Sequence, residues 1–119
     1  MQADRTPSIA LSFVIGFVVL STINIGWRFL VSFGFHPRWA LYAILTTTGL
    51  LGMYASLWRA HRIGLVVIPV HLGIVMVYFG VFEIGYRTST EWTAVVVSWG
   101  LLVGIVFLNA DYFTTDTPR

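Results

Sequence analysis

The sequence predicts an all-α integral membrane protein, an up-down-up-down bundle of four transmembrane helices. Two observations carry that prediction. Four uncharged stretches, Thr6–Trp27, Trp39–Trp58, Ile63–Phe82 and Trp92–Ala110, run 22, 20, 20 and 19 residues almost end to end. About 20 apolar residues at 1.5 Å rise cross the roughly 30 Å hydrocarbon core of a bilayer. The second observation is composition. Only 10% of the 119 residues are charged and 57% are hydrophobic, with a mean hydropathy of +0.83, whereas soluble domains carry about 25% charged residues. A soluble fold of this length has one modest core and too little polar surface to cover four such helices. Lipid as the solvent removes the conflict.

The first helix is expected over 9–31. It starts near Ser8, behind Pro7, whose missing N–H is not needed at a helix start. A cleaved signal core is about 7–15 residues long. This stretch is longer and runs into Gly26-Trp27-Arg28-Phe29-Leu30, an interfacial anchor, so a retained helix is expected. Phe33-Gly34-Phe35-His36-Pro37 then breaks it, through a glycine suited to a left-handed end and a proline that opens the next helix.

The second helix is expected over 38–58. The link Arg59-Ala60-His61-Arg62 is short enough to force an antiparallel hairpin with the third helix, over 63–86. Thr88-Ser89-Thr90-Glu91 has the form of a capping box and opens the fourth helix, over 90–111. No linker separates a second unit, so residues 1–119 read as a single four-helix domain with a polar tail. Trp27, Trp39, Trp58 and Trp92 fall at the boundaries, where amphipathic rings settle.

Charge then orients the bundle. Seven Arg stand against three Asp and two Glu, with no Lys. Four spans put both termini on one side, with Arg5, Arg59, Arg62 and Arg119 against Arg28, Arg38 and Arg87 on the other. The positive-inside rule places both termini in the cytoplasm, in the cytoplasmic membrane. Scattered positives of this kind make no nucleic-acid surface. Cys is absent, which excludes disulfides, thiolate metal sites and thiol catalysis.

Function must be sought among the few polar residues inside the spans. Ser21, Asn24 and Arg28 recur at helical spacing, and such a stripe points at other helices. His71 lies inside the third span two residues after Pro69, with Tyr78 two turns later. An imidazole in hydrocarbon needs hydrogen-bond partners. Asn24, Thr47, Thr48, His71 and Tyr78 therefore form the candidate buried polar or ligand site. Arg28 and Glu83 are depth-matched for an ion pair, with Arg87 the competing partner one turn after Glu83. Gly49 and Gly52 thin the second helix for close approach. Gly100 and Gly104 form a small-xxx-small helix contact.

No Walker A, Gly-x-Gly-x-x-Gly or His-Glu-x-x-His motif occurs. The first span also lacks the membrane-embedded Glu that marks small four-helix multidrug transporters. No metal site or catalytic residue is expected, and no cofactor within the chain. A quinone at His71, or a haem in a partner interface, is the redox alternative. The expectation is a structural or accessory subunit in the lipid bilayer, part of a homo-oligomer or a larger membrane complex. An oligomeric small-solute or ion transporter is the rival.

Overall fold

A computed structural model describes residues 7–32, 37–58 and 60–113. The break expected at 33–36, Arg59 and the two tails lie outside the described residues.

Helix α1 spans Ile9–Val31. Ser8 Oγ accepts from the Leu11 N–H at 3.1 Å, satisfying one of the donors a helix start leaves open. At the other end Arg28 occupies the last turn, where a cation faces the negative end of the helix dipole. Helix α2 spans Trp39–Met53 and runs on as a π turn, Tyr54–Trp58. Ala60, with φ 50°, reverses the chain, and the His61 N–H closes the turn on Ala55 O at 2.8 Å.

Helix α3 spans Gly64–Tyr78 and also continues as a π turn, Phe79–Ile84. Gly85 ends it with φ 81°, a left-handed backbone that costs glycine little. Helix α4 spans Ser89–Leu108 behind a complete capping box of Thr88 and Glu91. A 3₁₀ turn, Ala110–Phe113, follows. All four helices are long and apolar enough to cross a membrane. The bundle is all-α among the described residues.

Successive helices pack as neighbours, α1 on α2, α2 on α3 and α3 on α4, while α1 and α4 meet little. The molecule is correspondingly flat, 42 × 35 × 18 Å. Its interior has two parts. At the Arg62 end, Leu11, Val14, Ile15 and Val18 of α1 pack with Ile68 and Leu72 of α3, Val106 of α4 and Phe113. At the opposite end, Ile25, Tyr42, Leu45, Val75 and Tyr78 form a core from α1, α2 and α3 alone. The first half of α4 leans away there, leaving a cleft of about 300 Å³ against α1 and α3.

Absent side chains set the closest contacts. A Cβ at Gly49 would collide with the Thr22 hydroxyl, and one at Gly52 would lie 3.3 Å from Val18. These two glycines let α1 settle onto the α2 backbone. Gly64 receives the Phe113 ring, which a Cβ would meet at 2.7 Å. The Tyr112 hydroxyl beside it donates to Ser56 O, so the C-terminal turn clasps the α2–α3 hairpin.

Candidate functional site

Two layers of polar side chains, each drawn from α1, α2 and α3, bond across the interior, while the buried Thr22 and Ser56 hydroxyls donate within their own helices, to Val18 O and Gly52 O. In the first layer, His71 of α3 is fully buried. Its Nε2 lies 2.8 Å from Ser21 Oγ of α1, and its Nδ1 lies 2.9 Å from Thr48 Oγ1 of α2. Ser21 Oγ also reaches Val18 O at 3.0 Å, and Thr48 Oγ1 reaches Leu45 O at 3.1 Å.

Counting protons shows what this arrangement can do. Each hydroxyl has one proton, and a neutral imidazole adds one N–H. Three protons then serve four contacts. One hydroxyl must donate to the ring and release its backbone carbonyl, which keeps its helical N–H. An imidazolium would satisfy all four. Either form leaves both ring nitrogens engaged. A haem iron or a quinone carbonyl could reach His71 only by displacing Ser21 or Thr48.

The second layer lies seven residues further along α1 and α3, about 10 Å at helical rise. Arg28 of α1 pairs with Glu83 at 2.9 Å. Its Nη1 also donates to the Tyr78 hydroxyl at 3.0 Å. That hydroxyl stands 3.2 Å from Tyr42 OH of α2 and 3.4 Å from Glu83 Oε2, and its single proton serves one of them at a time. The Arg28 and Glu83 side chains are 29% and 31% exposed, which places this layer at the edge of the bundle.

The π turn makes the second layer possible. Residues five apart on an α-helix point about 140° away from each other. Wider winding over Phe79–Ile84 brings Tyr78 and Glu83 to one guanidinium. Between the two layers lie Ile25, Leu45 and Val75, one from each helix and each fully buried. The layers are separated by a buried apolar step.

The residues singled out in the sequence are thus dispersed. Thr48 and His71 meet. Tyr78 belongs to the other layer, with Arg28 and Glu83. Asn24 and Thr47 are exposed on the outside of the bundle, and Thr47 donates to its own helix at Ala43 O, 2.8 Å. Ser21, Asn24 and Arg28 therefore do not act as one stripe. Arg87 is exposed, and its backbone N–H, 3.3 Å from Glu91 Oε1, joins the α4 cap. Gly100 and Gly104 have nothing within 4 Å of where a Cβ would stand.

Two contributors were not read from the sequence. Tyr42 carried a usable signal, a hydroxyl one turn inside the second span at the depth of Arg28. The Trp99 indole donates to Pro69 O at 3.0 Å, across Gly73, whose missing Cβ leaves room for the ring. The indole thus takes up the space beside Gly73. No protein family, curated protein or solved structure matches the chain.

Proposed function

We propose that this protein is a small multi-pass membrane subunit that does no chemistry by itself and assembles through α4 with another transmembrane chain or a second copy. The observation that carries this reading is the packing of α4. Its single buried residue is Val106, whereas α1 and α3 bury seven each. Gly100 and Gly104 lie open on it, and small residues let transmembrane backbones approach closely. The two polar layers support a structural role, since each pins three helices in register.

Native mass measurement after extraction in a mild detergent tests the proposal. A dimer or a co-purifying membrane protein is expected, and Gly104→Leu should release it. A monodisperse lone monomer would overturn the reading. A conduit through the chain has less support, because Asn24 and Thr47 face outward and a buried apolar layer parts His71 from Tyr78. The arginine balance favours cytoplasmic termini. Cysteines placed at Ser8 and Thr115 should resist a membrane-impermeant reagent in whole cells, and ready labelling of both would reverse the orientation.

A further inference from the structure

Asn24 stands seven residues before the end of α1 at Val31, about 10 Å inside it at helical rise. Its neighbour Ile25 belongs to the buried apolar step between the two polar layers, so the amide lies at the level of that step. Arg28 is one turn nearer the end, and its long stem can carry the charge toward the interface. Asn24 has a single methylene and cannot follow.

The Asn24 side chain is exposed on the outside of the bundle, and among the described residues it has no hydrogen-bond partner. Outward hydroxyls are satisfied within their own helices, Thr47 on Ala43 O and Thr93 on Ser89 O. An amide is harder to satisfy, with two N–H donors and an oxygen that carries two lone pairs. A bond back along the helix, of the kind Asn109 makes to Ile105 O at 2.7 Å, would leave one donor and the oxygen over. Lipid tails offer nothing to either.

The occupant that fits is a second copy. Copies inserted the same way carry Asn24 at one depth, whereas an unrelated chain needs its own polar group at that level of its lipid face. The amide is donor and acceptor in one group, as a two-fold interface requires. One turn to either side on the outward face stand Leu20 and Trp27, 71% and 66% exposed, with their surfaces available to pack around the pair. Gly16, one turn before Leu20, has nothing within 4 Å of where a Cβ would stand, and small residues let membrane helices approach closely.

We infer that two copies of this protein join α1 to α1 through Asn24, each amide donating an N–H to the side-chain oxygen of the other across a two-fold axis along the membrane normal. The contact is separate from docking through α4 and leaves the face of Gly100 and Gly104 open. The chain has no cysteine of its own, so single cysteines report the interface by oxidative crosslinking in proteoliposomes over a series of protein-to-lipid ratios. Leu20→Cys and Trp27→Cys should each give a crosslinked dimer. Ile44→Cys should not, although it is 51% exposed and lies between the depths of Tyr42 and Thr48 on α2. Adding Asn24→Leu to Leu20→Cys removes two interhelical hydrogen bonds and should raise the protein-to-lipid ratio for half crosslinking by about ten- to three-hundredfold. Asn24→Gln should restore most of the crosslinking. The Asn24 side chain holds nothing inside its own chain, so Asn24→Leu keeps the bundle intact. Gly104→Leu in the same background should change nothing. No crosslink at either α1 position, or crosslinking that survives Asn24→Leu or only equals that of Ile44→Cys, would overturn the inference. Crosslinking lost with Gly104→Leu would assign the contact to α4 and overturn it as well. A dimer that survives Gly104→Leu and separates only on Asn24→Leu would fail the α4 reading and support this one.

Discussion

At His71, two hydroxyls on two other helices meet one ring, and the proton count makes them interdependent. Ser21→Ala or Thr48→Ala removes one contact, and the remaining hydroxyl can still satisfy the imidazole N–H. Hydrogen bonds between membrane helices average about 0.6 kcal/mol and reach about 1.7 kcal/mol, so each single change should cost an amount in that range. The double change strands a buried N–H, worth about 1–3 kcal/mol, and should cost more than the two singles added. Reversible denaturation in mixed micelles measures this, and strict additivity would count against the shared-proton account. The need for partners at His71 was legible, because a lone imidazole in hydrocarbon is costly. Their identity was not, since Ser21 lies fifty positions away and Asn24 offered a more polar choice on the same helix. Asn24 faces outward because the side of α1 that meets its neighbours is set by the buried row Leu11, Val14, Ile15, Val18, Thr22 and Ile25, and residue 24 lies off that row.

The helices owe their contacts to local departures from regularity. At Gly49 a side chain would collide with Thr22. Gly49→Leu should therefore part α1 from α2 and cost at least about 1–3 kcal/mol, the usual penalty of overpacking. Gly16→Leu, with nothing within 4 Å of the Cβ position, is the control and should be nearly silent in the same unfolding experiment. The π turn after Tyr78 makes a second prediction. Glu83→Gln weakens a charge-assisted contact to Arg28 at the bundle's edge and should cost up to about 1 kcal/mol, whereas Arg87→Gln should cost nothing measurable. Span limits were readable within a few residues, because length and hydropathy depend on composition alone. The π turns were not, because no residue type in Phe79-Gly80-Val81-Phe82 distinguishes wide from normal winding. For that reason the choice between Arg28 and Arg87 as partner of Glu83 stayed open in the sequence.

For the whole molecule, membrane residence and the number of helices follow from composition, but the gap between α1 and α4 does not. A residue facing lipid and a residue facing a helix are equally apolar, so hydropathy cannot show that α4 leans out. The contact between the outer helices is made at the Arg62 end, where Val106 and Phe113 join the first core. Phe113→Ala should open that closure and leave a void over Gly64. Loss of a buried Phe side chain costs about 3–5 kcal/mol. An expected companion effect is faster labelling of a cysteine placed at Ala55, fully buried beside Gly64. Unchanged labelling and stability would mean that α4 is held by α3 alone.

The two polar layers have a consequence in time. Both are complete once α1, α2 and α3 are in place, because Ser21, Thr48 and His71, and Arg28, Tyr42, Tyr78 and Glu83, all come before Tyr86 in the chain. During synthesis the first three helices hold every group needed to lock their mutual register before α4 has been made. The last helix arrives at a finished surface and attaches through Trp92, Trp99 and Val106, with Phe113 of the turn beyond it, and most of its length stays uncommitted.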